Sequence, residues 1–129
     1  MTKPKWILED TVVAIHSMQL AEHGGSPGIR SIDLLTSALD RPKNKYAYES
    51  TCSIFEMAAA YGFGIAKNHP FVDGNKRTAF LCSTLFLELN GYQFAATEPD
   101  AVITFKDLAS GKMQEKELAE WLELNSIKA

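Results

Sequence analysis

Two stretches of this chain, 51–67 and 76–90, have almost no polar face, and any fold must begin by burying them. In the first, Ile54, Phe55, Met57, Ala58, Ala59, Ala60, Tyr61, Phe63, Ile65 and Ala66 leave little for water to touch. In the second, Ala79, Phe80, Leu81, Leu85, Phe86, Leu87 and Leu89 do the same. Helices that are apolar all round are buried ones, and 129 residues suffice to surround a pair of them. Ser53 and Glu56 stand at capping-box spacing at the start of the first helix. Gly62 and Gly64 each cost it roughly 1 kcal/mol in propensity, a cost that close approach of a neighbouring helix explains. Asn75 suits the N-cap of the second helix and Gly91 its C′ position. The expected centre is an antiparallel pair joined by the polar loop 69–75.

Around that pair the remaining segments read as further helices. Residues 8–22 place Leu8, Val12, Ile15 and Gln19 at helical spacing, with Val13, Leu20 and Ala21 widening the face, and Gly24-Gly25 ends the helix. His16 falls between Val12 and Leu20, as a structural histidine or a functional one. His23 sits in the last turn, where a cation suits the helix dipole. After the turn segment Gly24–Gly28, Ser31 caps a short helix through Leu34, Leu35, Ala38 and Leu39 that Pro42 should end. Lys43–Glu49 shows no helical face; it reads as an extended flap or as a surface loop. Tyr92-Gln93-Phe94 is briefly extended. Thr97, Pro99 and Asp100 open a helix through Val102, Ile103, Phe105, Lys106 and Leu108 that stops at Gly111. A last helix, 114–125, points Leu118, Trp121 and Leu122 inward and Glu115, Glu117, Glu120 and Glu123 outward. The expected fold is all-α, a compact bundle in a single domain over 1–129 with one small extended flap at most.

Bulk properties narrow the functional classes. A net charge of −3 and a pI near 5.6 carry no electrostatic footprint of specific nucleic-acid binding. Cys52 and Cys82 both lie in apolar segments, and no secretory signal follows the basic Met1–Trp6, so reduced thiols in a cytoplasmic protein are expected. Glu56, Lys67 and Glu88 break the apolar runs, which argues against a membrane span. Three scattered histidines lack zinc-ligand spacing.

The loop His69-Pro-Phe-Val-Asp-Gly-Asn-Lys-Arg77 holds the chemistry. Lys76 and Arg77 fall at a helix start, where the dipole disfavours cations by roughly 0.3–1 kcal/mol each. A bound phosphate reverses that conflict, because free N–H groups, two cations and a close-approaching glycine together make an anion site. An imidazole such as His69 can take a proton from an attacking hydroxyl near neutral pH. Asp73 supplies the single carboxylate with which Mg²⁺ and substrate phosphates are commonly held. Gly74 and Asn75 bring backbone and amide to the phosphates, Lys76 a point charge and Arg77 a planar fork. The competing reading is a plain connector between helices, which gives no reason for two cations at a helix N-terminus.

This loop resembles the signature of the Fic/Doc superfamily in its Doc form. Further blocks resemble that family in order: Glu22–Arg30, Leu39-Asp-Arg-Pro42, Ala66–His69, Phe86–Gly91 and Ala109-Ser-Gly111. The resemblance implies a mostly helical fold whose loop transfers a group from ATP to a protein hydroxyl, with His69 as base and Asp73 holding Mg²⁺. Gly74, Asn75, Lys76 and Arg77 would then bind phosphate, and 43–49 (Lys45, Tyr46, Tyr48) would be the target-peptide flap. Fic adenylyltransferases read His-x-Phe-x-Asp/Glu-Gly-Asn-Gly-Arg-x-x-Arg. Here Lys76 replaces the second glycine and Phe80 the second arginine, as in the Doc form, which is associated with γ-phosphate transfer. The resemblance thus implies a toxin kinase that acts on elongation factor Tu and arrests translation. The self-inhibiting Ser/Thr-x-x-x-Glu-Gly/Asn motif is absent, so control is expected from a Phd-type antitoxin seated in a groove beside the first helix and His16. AMP transfer of the Fic type is the alternative reaction, and a non-catalytic module binding the translation machinery the alternative class.

Overall fold

A computed structural model describes residues 3–129; the first two positions of the basic N-terminal stretch lie outside it. The elements are α1 (Glu9–His23), α2 (Ile32–Tyr48), α3 (Ile54–Asn68), α4 (Asn75–Leu89), β1 (Tyr92–Phe94), α5 (Glu98–Ser110), α6 (Glu115–Leu124) and β2 (Ser126–Lys128). The fold is all-α, with β1 and β2 forming one short antiparallel pair in which Gln93 faces Ile127. No helix among the described residues is long and apolar enough to cross a membrane.

The pair α3 and α4 is the centre, as the apolar patterning requires. Helix α3 packs on α2, α4, α5 and α6, while α4 takes α1 on another side. Met57, Ala58, Ala59, Ala60, Tyr61 and Ile65 on α3 and Ala79, Cys82, Phe86 and Leu87 on α4 have no or almost no solvent contact. The two α3 glycines mark close approaches. A Cβ on Gly62 would lie 2.5 Å from Ser83 Oγ on α4, and one on Gly64 would lie 3.1 Å from the Ala38 carbonyl oxygen on α2.

Three expectations fail on packing. Pro42 does not end α2, which runs six residues further, so 43–49 is no extended flap. A proline inside a helix removes the N–H that would bond the carbonyl four residues earlier, here that of Ala38. That carbonyl faces the glycine surface of α3, and the turns beyond Pro42 are held from outside. Arg41 and Lys45 both pair with Glu115 of α6, and Tyr46 meets Trp6 edge-on at 6.0 Å. Tyr48 is 94% exposed. Glu115, expected in solvent, is accordingly drawn under two cations, while Glu117, Glu120 and Glu123 face water. On α1 the buried stripe is Val12, His16 and Gln19, whereas Leu8 is exposed. A helix that buries an imidazole and a carboxamide must find them partners.

The extended segment beside the central loop comes from the α1–α2 connection. Ile29 and Phe71 form an antiparallel bridge, Arg30 and Ser31 N–H both donate to the Pro70 carbonyl, and Val72 N–H donates to the Gly28 carbonyl.

Candidate active site

Helix α4 begins unlike its neighbours. Ser31, Ser53 and Thr97 cap α2, α3 and α5 through their hydroxyls; α1 and α6 carry acids in their first turns. Helix α4 alone among the described helices has neither a side-chain cap nor an acidic first turn. Its N-cap is Gly74, at φ +76°, and Asn75 is already helical. Asn75 therefore does not cap the helix. Its side chain turns back on the loop, with Oδ1 accepting from Phe71 N–H and Nδ2 donating to the Phe71 carbonyl, both at 2.9 Å. The oxygen and one of the two Nδ2 protons are thereby used within the loop, and the backbone N–H of Asn75 lies in the first turn of α4, where an anion can meet it.

The loop is clamped at each end and in the middle. His69 terminates α3 in the left-handed region at φ +52°, a conformation costly for a residue with a side chain. Arg30 holds it there, Nε donating to the His69 carbonyl at 2.7 Å and Nη2 to that of Asn68 at 2.9 Å. A guanidinium fork across the last carbonyls of a helix also meets the negative end of its dipole. Pro70 and Phe71 are buried, and the His16 ring stacks on Phe71 with centroids 3.8 Å apart and planes 8° from parallel. His16 Nε2 lies 2.8 Å from the Asp73 carbonyl oxygen.

Between the clamps, the groups with chemistry to offer are left open. His69, Asp73 and Lys76 are exposed and Arg77 is half-buried. All four line one cavity of about 510 Å³ together with Gly74 and Asn75, and α5 closes it with Ala101, Val102, Phe105 and Lys106. The Asp73 carboxylate accepts from Ser26 N–H at 3.2 Å and Gly74 N–H at 2.9 Å, and these bonds hold its pKa below the usual carboxylate value. Arg77 reaches Glu98 at 3.6 Å, a partner 72% exposed that leaves the guanidinium available to the cavity. Phe80, where the Fic pattern has its second arginine, forms part of the wall and packs on Phe94 and Phe105.

The residues fit a triphosphate and a magnesium ion. Gly74 has the positive φ that a tight anion-facing turn needs, and a Cβ there would fall 2.0 Å from Gln19 Nε2. No cluster of three or more potential metal ligands exists among the described residues. Asp73 is the one carboxylate of the loop; Mg²⁺ there would draw its other ligands from substrate oxygens and water, which is the usual habit of that ion.

Six of the nine residues singled out in the sequence, His69 and Asp73 to Arg77, thus meet at one cavity, while Lys45, Tyr46 and Tyr48 of the supposed flap lie on α2 away from it. His16 is 4% exposed and lies beneath the loop, so it does not line a groove. Sequence reading missed Arg30 as a clamp and Gln19 as a lining residue. Nothing in the block Glu22–Arg30 signals that its end runs extended beside the loop.

The sequence model described as the Fic/DOC family matches residues 6–87. The chain is 34% identical over 87 residues to Protein kinase doc of Escherichia phage P1, a match covering 67% of this chain and 69% of that protein. It is 40% identical over 74 residues to Toxin Doc of Mycolicibacterium smegmatis, covering 57% of each.

Proposed function

Because this chain belongs to the Fic/Doc family, we propose that it is a toxin that transfers the γ-phosphoryl group of ATP to a hydroxyl of a protein, by resemblance elongation factor Tu. The observation that carries this reading is the uncapped start of α4, with Lys76 and Arg77 facing the same cavity as His69. In the proposed reaction His69 takes the proton of the target hydroxyl. A bond forms from that oxygen to the γ-phosphorus while the bond from phosphorus to the bridging oxygen breaks, and ADP leaves. Lys76, Arg77 and the N–H groups of Asn75 to Arg77 would bear the charge spread over the phosphates. Asp73 would hold Mg²⁺, which would supply further charge neutralisation. Catalysis of this kind is mostly positioning and electrostatics, which suits a loop so heavily clamped.

The aromatic wall at Phe80 favours phosphoryl over nucleotidyl transfer, since no second arginine is there to grip a phosphate. Segment 25–31, hydrogen-bonded beside the loop, replaces 43–49 as the proposed docking edge for a target strand. Control falls to a Phd-type antitoxin whose helix would lie along the cavity between α1 and α5, in the cytoplasm where both are made. Incubation with elongation factor Tu and ATP labelled at either end tests the reading: label passes from the γ and not the α position. Transfer of α-label would establish the Fic-type reaction instead. Growth arrest by a folded His69→Ala variant would make the protein a binding module.

A further inference from the structure

We infer that His16 is a positioning residue for the transfer reaction: by tying the Asp73 carbonyl to α1, it sets the peptide from which both the Asp73 carboxylate and the α4 anion site are built. The inference rests on the proposed function but starts from geometry that stands without it. His16 is 4% exposed, stacked on Phe71, with Nε2 2.8 Å from the Asp73 carbonyl oxygen. A carbonyl only accepts, so Nε2 carries the proton.

The consequence follows from peptide planarity. In a trans peptide the C=O and the next N–H point in opposite directions. With the Asp73 carbonyl drawn toward α1, the Gly74 N–H must point away from α1, and there it meets Asp73 Oδ1 at 2.9 Å. That bond and the one from Ser26 fix the carboxylate at the rim of the cavity. The same peptide leads into Gly74, whose φ of +76° starts α4. Gln19, one turn further along α1 and also 4% exposed, fills the space that a side chain on residue 74 would need. Helix α1 is therefore the backing against which residues 73 and 74 are set, and His16 is its one hydrogen bond to them.

A merely space-filling histidine predicts something different from a positioning one. His16→Phe keeps the stack and loses the donor, so kcat should fall on the order of 10- to 100-fold while KM for the target protein stays within about twofold. The Mg²⁺ concentration for half-maximal rate should rise, because the carboxylate is no longer fixed. His16→Gln, whose Nε2 can stand where the imidazole Nε2 stood, should recover much of the rate. His16→Asn, whose amide falls short, should not. Equal rates for the Gln and Asn variants, or a folded His16→Phe enzyme with wild-type kcat and Mg²⁺ dependence, overturn the inference. If His16→Phe fails to fold, the Gln and Asn pair decides. Nitrogen-15 correlation spectra of the free wild-type protein give a reading independent of activity: the proton should sit on Nε2 of His16, and a ring protonated on Nδ1 with bare Nε2 overturns the proposal. A wild-type protein inert toward ATP but with the expected tautomer would defeat the functional reading and leave the hydrogen bond standing.

Discussion

Helix α3 opens with Ser53 and Glu56 closing on each other's backbone, while α4, packed beside it, opens with Gly74, Lys76 and Arg77 and no side-chain cap. Both helices are central, with ten of the fifteen residues of α3 and eight of the fifteen of α4 buried. At its start α3 is arranged for stability: its hydroxyl and carboxylate satisfy donors that would otherwise be orphaned. At its start α4 forgoes that stability and leaves its donors and two cations facing a cavity. Under the proposed function, these two adjacent helices differ at their starts because one of them would receive an anion. The left-handed backbone at His69 and Gly74 belongs to the same end of the molecule, held by Arg30, His16 and Asn75.

The sharpest way to break the comparison is to give α4 what α3 has. Lys76→Glu places an acid in the first turn, which should stabilise the helix by about 0.3–1 kcal/mol. Phosphotransfer should nevertheless fall at least about 100-fold, since a carboxylate repels the phosphates. A variant with a higher melting temperature and unimpaired activity would remove the ligand from the explanation. Gly74→Ala comes next, with a β-carbon at positive φ and against Gln19. It should lose about 1–3 kcal/mol of stability as well as activity, read by denaturant unfolding and by rate. Ser53→Ala removes the α3 cap and should cost about 1 kcal/mol with transfer unchanged; a parallel loss of activity would mean that the two helix starts are not independent.

The smallest effect lies where the two helices agree. Burial pushes the Tyr61 hydroxyl on α3 and the Cys82 thiol on α4 each up to about 12. Each is an acid held neutral by the fold. The stability this contributes is whole below the ordinary values of 10.0 and 9.0 and drains as pH rises through them toward 12. Cys82→Ala should flatten the alkaline loss that begins above pH 9. Tyr61→Phe should flatten the later part but lower stability at neutral pH by about 1–2 kcal/mol, because Ile7 N–H donates to that hydroxyl. Identical alkaline melting curves for wild type and both variants would contradict the burial argument.

The sequence displayed its core openly. All-round apolar runs, a capping box and stop glycines are local patterns, and they placed α3, α4 and the loop between them. Six candidate site residues were legible for the same reason, lying within the nine positions 69–77. Long-range contacts were not. Pro42 sits inside a helix because Glu115, on α6, pins Arg41 and Lys45 on either side of it, a fact no window around Pro42 contains. His16 and Gln19 look like ordinary positions of an amphipathic helix, and only the distance to Asp73 and Gly74 gives them a task. Asn75 looked like a cap because asparagine usually is one, but Phe71, with both backbone groups unpaired in a buried turn, claims its amide. Arg30 has no signal beyond its place after a glycine-rich turn.

The open start of α4 is tested most directly by backbone amide spectra recorded while Mg²⁺ and a non-hydrolysable ATP analogue are added. The N–H signals of Asn75, Lys76 and Arg77 should move furthest and saturate together, while those of Ile54, Phe55 and Glu56 at the closed start of α3 stay in place. Saturable binding that leaves the three α4 amides unmoved, or no binding at all by a folded protein, would contradict it.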